Sequence, residues 1–303
     1  MRHLQRHWWR WLILFSWLIF FGFQAGEAAQ RFFTRERPRD LGGIIQHHAT
    51  HHYRYRLDYG GSPVGHIIQR FDYEDGGYPV ELVVHLDGLD RLLRQWGPLL
   101  TFLKMKLAGH GLDLDRGIHL RLQVTYDNRL LPVTLAGDGD IGGLQVGGQG
   151  RFTPDGLLGD WQVDGGKDRP FTLPQFSRFQ PQTLGFSVAL PPDLVAGERF
   201  AMAAVKPDLR PPYFIQTRSL YEVGEAAPFT TAHDERTLLP ITVLDGDRSV
   251  GRLHCDTDGV VYHASDPQGL LQLWLVRIDQ AGNVLWPKQS DSILPQADES
   301  QRP

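Results

Sequence analysis

Four histidines lie close together near the start of the chain, at a spacing that suits metal binding. They are His47, His48, His51 and His52. Neutral imidazole is a good ligand for zinc and copper, and on a helix residues four apart share a face. The segment has no companion carboxylate or thiolate, however, and it precedes the first predicted strand. It therefore indicates either a metal-handling site or a solvated polar segment.

The single cysteine, Cys255, is a second candidate, because a thiolate beside a histidine can act as a nucleophile. His254 precedes it and His263 follows nearby. Successive residues of a strand point to opposite faces, so His254 faces away from Cys255. A lone cysteine is more typically a small buried hydrophobic residue, and no catalytic role is assigned to it.

The sequence contains no catalytic signature. Asp138 and Asp140 resemble part of a calcium loop, but the glutamate that completes an EF-hand loop is missing, which favours a hairpin turn. The two carboxylates of a glycosidase are defined by their separation in space, so the sequence neither identifies nor excludes such a pair. We therefore predict no catalytic residue and no cofactor.

Aromatic side chains are the remaining candidates for ligand contacts. Flat rings can stack on sugars or contact acyl chains, although aromatic residues in strands usually belong to the core. The predicted ligand-binding residues are Trp161, Tyr213, Phe214 and Trp274. Residues 271–278 are apolar on both faces up to Arg277. This indicates either a central strand covered on both sides or a sheet face that holds an apolar ligand.

Residues 1–28 have the three parts of a secretory signal peptide. Arg2, Arg6 and Arg10 give a positive start, an apolar stretch covers 11–23, and small residues follow. The apolar stretch is short for a membrane span, which needs about 20 residues. We predict cleavage after Ala28 and a periplasmic or secreted protein, with an uncleaved membrane anchor as the alternative.

Composition excludes some classes of protein. The chain has a net charge of −4 and loses three arginines on cleavage, so nothing electrostatic attracts it to nucleic acid. With one cysteine it forms no internal disulfide, and its stability must come from a hydrophobic core. Its 33 glycines and only 3 methionines favour strands and turns.

Alternation of apolar and polar residues dominates the chain after residue 52. The clearest examples are residues 53–59, 80–87, 118–126 and 184–190. Such alternation predicts strands with one face in the core and one in water. Glycine-containing turn pairs between them suit hairpins. The sequence therefore predicts a mainly β fold, with a large curved antiparallel sheet, half-barrel or sandwich.

One segment departs from this pattern. Leucines at helical spacing between residues 89 and 107, interrupted by Gly97-Pro98, predict a helix or two short helices. An amphipathic helix beside an open sheet covers a sheet face or closes its mouth. We expect this segment to lie against the concave face, either as part of the core or as a mobile lid.

A weak repeat suggests two β halves. The sequence Val64-Gly65-His66 and its surroundings resemble those of Val250-Gly251-Arg252, which indicates either related halves or two hairpins with similar turns. The predicted organisation is a signal peptide (1–28), a linker (29–52), a first β half with a helical insertion (53–168), a connection (169–183), a second β half (184–288) and a disordered tail (289–303).

Several strand-and-turn segments resemble a loose class of uncharacterised exported bacterial β-rich proteins. They are the Tyr-x-Leu-x-Tyr-Gly-Gly-x-x-Val-Gly-His hairpin (55–66) and residues 118–137, 189–200 and 273–285. Some members of that class are linked to transglutaminase-like domains, for which this chain has no room. Their sheets are similar to the half-barrels of lipoprotein carriers. The resemblance implies an accessory or binding role and supplies no catalytic residue.

The leading hypothesis is a non-enzymatic periplasmic protein that binds an apolar ligand or a protein of the cell envelope. A lipid or a glycan is the expected ligand, and we expect no nucleic acid partner and no stable membrane span after cleavage. The alternatives are an enzyme acting on envelope or extracellular polysaccharide, and a metal-handling protein that uses the histidines at 47–52.

Overall fold

The computed structural model describes residues 37–38, 41–74, 76–87, 113, 116–174, 176, 189–207 and 214–287. The predicted signal peptide, the helical segment 89–107 and the predicted tail lie outside the described residues. Within these ranges no helix is long and apolar enough to cross a membrane.

The described residues form one short helix, α1 (Leu41–His47), and seventeen strands. The first nine strands are β1 (Arg37–Pro38), β2 (His51–Tyr59), β3 (Ser62–Phe71), β4 (Tyr78–Leu86), β5 (Ile118–Tyr126), β6 (Pro132–Ile141), β7 (Leu144–Thr153), β8 (Gly156–Val163) and β9 (Arg169–Leu173). The remaining strands are β10 (Arg199–Pro207), β11 (Phe214–Val223), β12 (Ala227–Thr230), β13 (Glu235–Asp245), β14 (Arg248–Cys255), β15 (Val261–Ser265), β16 (Leu271–Gln280) and β17 (Asn283–Trp286).

All seventeen strands belong to one large sheet. Strands β2 to β9 pair in sequence order as an antiparallel meander. The later strands form a second run, which joins the first because β16 pairs with β2. Among the pairings of the described strands, the contact of β1 with β10 alone is parallel. This architecture confirms the prediction of a mainly β fold built on a large antiparallel sheet.

The weak sequence repeat corresponds to two hairpins of the same geometry, β2–β3 and β13–β14. In each hairpin the register shifts by one residue shortly after the turn, so that Val64 in the first and Val250 in the second form a β-bulge. Gly65 follows the first bulge, and a Cβ there would collide with the carbonyl oxygen of His85. The sequence similarity therefore reflects the same turn and the same bulge in the two hairpins.

Cross-strand partners project from the same face of a sheet, and the register gives this sheet two contrasting faces. One row on the first face contains Leu275, Tyr55, Ile67, Val84 and Leu120. We call this the apolar face. One residue along each strand, a row on the opposite face contains Arg56, His66, His85 and His119. We call this the histidine face.

Helix α1 covers one end of the apolar face, beside Tyr53 and Phe71. Its Ile44 and Ile45 are almost wholly buried, and the ring of His48 lies 5.6 Å from that of Phe71. Both α1 and the start of β2 fall in the predicted linker 29–52. A helix of seven residues shows too little of the 3.6-residue period to be recognised from sequence. Strand β9 likewise extends the sheet into the predicted connection 169–183.

Candidate functional site

A groove of about 440 Å³ lies on the apolar face, beyond the end that α1 covers. It is formed by β2, β3, β4, β5, β15 and β16. Its lining residues are Leu57, Ile67, Leu82, Val84, Leu86, Ile118, Leu120, Leu122, Ala264, Ser265, Asp266, Leu271 and Leu273. The volume falls in the range of small-molecule sites, about 300–1,000 Å³.

The groove follows from the period of two in its strands. Alternate residues of β4 and β5 face it as two parallel lines of leucine, isoleucine and valine, paired in register across the strands. Strand β16 adds Leu271 and Leu273 from the other side. The alternation was visible in the sequence, but only the pairing of β16 with β2 shows that these residues surround one space.

The lining is aliphatic, apart from Ser265 and Asp266 at one side. The Oδ1 atom of Asp266 accepts a hydrogen bond from the backbone N–H of Leu271, at 3.0 Å, and so fixes the turn between β15 and β16. Among the described residues of the lining there is no aromatic ring and a single carboxylate. This lining suits a flexible hydrocarbon chain better than a sugar, and it offers no second carboxylate to form the facing pair of a polysaccharide-cleaving enzyme.

The predicted ligand-binding aromatics do not form one site among the described residues. Trp161 lies on the apolar face, outside the groove lining, and is 38% exposed. Trp274 lies on the histidine face, with its ring 4.2 Å from that of His263. Tyr213 is outside the described residues, as is the side chain of Phe214 at the start of β11. A ligand-binding role for these four residues stays a prediction.

Five glycines continue the apolar face from the groove towards Trp161, and we call them the glycine strip. They are Gly137, Gly139, Gly148, Gly150 and Gly159, on β6, β7 and β8. A Cβ added to Gly137 would lie 2.7 Å from the Cδ2 atom of Leu122. One added to Gly139 would lie 2.8 Å from the Cδ2 atom of Leu120. The groove leucines therefore lean over the first glycines, and Leu157 and Phe171 lie in the same way over Gly150 and Gly159.

The far end of this face carries a cation. Arg169 of β9 pairs in register with Trp161, and its guanidinium carbon lies 5.3 Å from the centre of the indole ring. This is a cation–π contact on the exposed surface. Within the described part of the chain Arg169 forms no ion pair.

The histidine face carries a row of imidazoles across adjacent strands. In register order the row is His254, His263, Trp274, Arg56, His66, His85, His119 and Asp140. The ring centres of His66 and His85 are 4.9 Å apart. Burial lowers the pKa values of His66 and His254, and it lowers the pKa of His263 to about 4. Burial therefore favours the neutral form of these three imidazoles.

The histidines at 47–52 are engaged with the protein itself. His48 is buried: its Nδ1 accepts a hydrogen bond from the Tyr53 hydroxyl at 2.6 Å, and its Nε2 donates to the Leu190 carbonyl at 3.2 Å. Burial lowers the pKa of His48 to about 4. His51 donates to a backbone carbonyl, and His52 donates to the Asp72 carboxylate at 2.8 Å.

His47 is exposed on α1, with its ring centre 5.0 Å from that of His48. Across the residues that the structure describes, no group of three or more histidine, cysteine, aspartate or glutamate side chains is arranged to hold a metal ion. The His47–His52 segment anchors α1 to the sheet through His48, and a metal-binding role for its histidines stays a prediction.

Cys255 is fully buried on β14. Its thiol donates to the Leu239 carbonyl, with a sulfur-to-oxygen distance of 3.7 Å. Burial raises its pKa well above the ordinary value, and His254 and His263 pair with each other on the histidine face. The thiol therefore packs as an apolar group.

Two solved structures are distantly similar to this chain. No family model matches it, and no curated protein matches it. A β-barrel-like protein of the domain of unknown function DUF1849 from Brucella abortus shares 11% identity at a TM-score of 0.38, over 76% of this chain and 97% of that chain. A DUF1089 family protein from Pseudomonas aeruginosa shares 15% identity at a TM-score of 0.34, over 67% of this chain and 90% of that chain. At such identities function has to be argued from the geometry of this chain.

Proposed function

We propose that this protein binds a hydrocarbon chain, such as the acyl chain of a lipid, in the groove on the apolar face. The observation that carries the proposal is the groove itself, about 440 Å³ in volume and lined almost wholly by aliphatic side chains. The lining residues are mostly half-buried and not closed into the core, and an apolar concave surface of this kind is typical of a ligand-binding site.

The chemistry of the lining selects the ligand. Each methylene that leaves water contributes about 0.8 kcal/mol, so about ten buried methylenes contribute about 8 kcal/mol. That corresponds to a micromolar complex before ordering costs are subtracted. A glycan would find no hydrogen-bonding partners along most of this lining, whereas an acyl chain needs none.

The N-terminal sequence supports a place of action outside the cytoplasm. Three arginines, an apolar stretch and small residues before residue 29 have the pattern of an export signal. An acyl chain cannot remain free in the aqueous space outside the inner membrane, so a non-enzymatic protein that shields it there has a clear physical role.

The first test is native mass spectrometry of the protein purified gently from the envelope fraction. A co-purifying mass of a lipid supports the proposal and identifies the ligand. The protein is then stripped of lipid and titrated with a dansyl-labelled undecanoic acid, whose fluorescence rises in an apolar site.

Two leucines of equal exposure provide a matched pair of variants. Leu271 and Leu285 are each 40% exposed, but only Leu271 lines the groove. We expect Leu271→Lys to weaken probe binding about tenfold, which corresponds to about 1.4 kcal/mol, whereas Leu285→Lys leaves binding unchanged. A wild-type protein that does not bind the probe, or two variants that bind it equally well, would overturn the proposal and direct attention to a protein partner.

A further inference from the structure

The apolar face continues well past the groove. On β6, β7 and β8 the residues of this face are Leu135, Gly137, Gly139, Val146, Gly148, Gly150, Leu157, Gly159, Trp161 and Val163. The opposite face of the same strands is mostly polar and exposed, with Thr134, Asp138, Gln145, Gln149, Arg151, Asp160 and Gln162. The two faces are therefore chemically distinct as far as the edge of the sheet.

Neighbouring apolar side chains lie over most of the glycine strip. Glycine in a strand weakens it and commonly marks a place where another group approaches the backbone closely. Leu122 and Leu120 lean over Gly137 and Gly139, and Leu157 and Phe171 lean over Gly150 and Gly159. The glycines of the strip are half-buried, apart from the buried Gly139. A flexible chain that leaves the groove thus meets an apolar floor formed by these side chains.

The positive charge of Arg169 lies at the far end of this floor. Leu122, Gly137, Gly148, Trp161 and Arg169 occupy successive strands in register. Four strand spacings of about 4.8 Å separate the groove residue Leu122 from Arg169, a span of about 19 Å. An extended acyl chain can bridge such a span, with its tail in the groove and its end beside the guanidinium.

Charge fixes the orientation of such a ligand. Asp266, the one carboxylate among the described lining residues, lies on the β15 side, which is the side away from β9. It would repel an anionic headgroup there. At the other end, the guanidinium of Arg169 has the planar geometry that binds carboxylate and phosphate through two parallel hydrogen bonds.

We propose that the ligand is an anionic amphiphile, whose carboxylate or phosphate headgroup binds Arg169 beside Trp161 while its chain crosses the glycine strip into the groove. This inference rests on the proposed function of the groove and adds the class of headgroup. Fatty acids and acyl phosphates share this chemistry.

The test compares four ligands that have the same sixteen-carbon chain, long enough to bridge this span, and different headgroups. Lipid-stripped protein loaded with the dansyl probe is titrated with hexadecanoate, hexadecyl phosphate, hexadecanol and hexadecyltrimethylammonium, each below its critical micelle concentration or solubility limit, and displacement of the probe is measured. We expect the two anions to bind more tightly than the alcohol, and the cation to bind most weakly. The tighter of the two anions identifies the headgroup.

Arg169→Gln removes the proposed contact, and Arg151→Gln is its control, because Arg151 is an exposed arginine on the other face of β7. We expect Arg169→Gln to weaken binding of both anions about tenfold and to leave binding of hexadecanol unchanged. Arg169→Lys should restore part of the loss, and Arg151→Gln should have no effect.

The same titrations separate a wrong headgroup assignment from a groove that binds no hydrocarbon chain. If hexadecanol and both anions bind equally well to the wild type and to Arg169→Gln, the groove binds a chain but the headgroup assignment is wrong. If none of the four ligands binds, the proposed function itself fails.

Discussion

The buried imidazole of His48 should make the fold sensitive to acid. Its two ring nitrogens are both hydrogen-bonded, to the Tyr53 hydroxyl and to the Leu190 carbonyl. Protonation would place a second N–H against the Tyr53 hydroxyl in a site that water does not reach. Burial is accordingly the main reason why its pKa falls to about 4.

The size of the effect follows from linkage between protonation and folding. A histidine in the unfolded chain has a pKa of about 6.5, so below that pH the unfolded state binds more protons than the folded state does. The stability that His48 contributes is present above pH 6.5 and is lost as the pH falls towards 4. Between pH 7.5 and pH 5 the free energy of unfolding should fall by about 2 kcal/mol because of this one group.

His263 adds a loss of the same sign and of similar size, because burial also lowers its pKa to about 4. Together the two imidazoles remove about 4 kcal/mol, a large part of the 5–15 kcal/mol that stabilises a typical domain. The carboxyl group of Asp256 acts in the opposite direction, since burial raises its pKa, and it does so equally in wild type and variants.

Urea unfolding at pH 7.5, 6.5, 5.5 and 5.0, followed by tryptophan fluorescence, measures this loss. In His48→Gln the amide can still donate to the Leu190 carbonyl and accept from the Tyr53 hydroxyl, but it does not titrate. We expect the variant to lose about 2 kcal/mol less stability than the wild type over this range. His47→Gln, on the exposed side of α1, is the control. A variant that loses stability as steeply as the wild type would refute the reasoning.

Two further pairs of variants test the packing. Tyr53→Phe should lower the free energy of unfolding by about 1–2 kcal/mol because His48 loses its hydroxyl donor, whereas Tyr55→Phe should be neutral or stabilising because that buried hydroxyl has no partner; equal losses in the two variants would contradict this. Gly65→Ala should be destabilising by several kcal/mol, since a Cβ collides with a backbone carbonyl of the next strand. Gly43→Ala should instead be stabilising by about 0.5–1 kcal/mol, because its Cβ meets open space in a helix. Urea unfolding at pH 7.5 measures all four variants, and a Gly65→Ala protein as stable as wild type would show that the β2–β3 bulge is placed wrongly.

The strands with clean alternation were predictable from sequence, and the groove was only partly so. Strands β2, β4 and β5 alternate because one face of each packs inside while the other meets water. Strands β6 and β7 carry glycines on the apolar face, which remove the hydrophobic half of the pattern and obscure the strand. Helix α1 gave no periodic signal because it is only seven residues long.

The two candidate tryptophans show where sequence reasoning stops. Trp161 and Trp274 both lie in strands, and composition alone treats them alike. Their faces depend on register: Trp161 belongs to the apolar face because it lies in register with Gly148, and Trp274 belongs to the histidine face because it lies in register with Arg56. Register between distant strands is set by packing across the whole sheet, and the local alternation of apolar and polar residues does not determine it.

The pairing of β16 with β2 has a consequence for how the chain acquires its fold. Strand β2 is among the first parts of the sheet to be synthesised, yet the partner that covers its second edge comes near the other end of the chain. Contacts so distant in sequence form slowly, and an uncovered strand edge can pair with other chains. A chain that crosses a membrane from its N-terminus would therefore complete its sheet only after the last strands emerge. A truncation before β16 would leave the edge of β2 unpaired in the middle of the sheet. We expect such a truncated protein to aggregate through that edge.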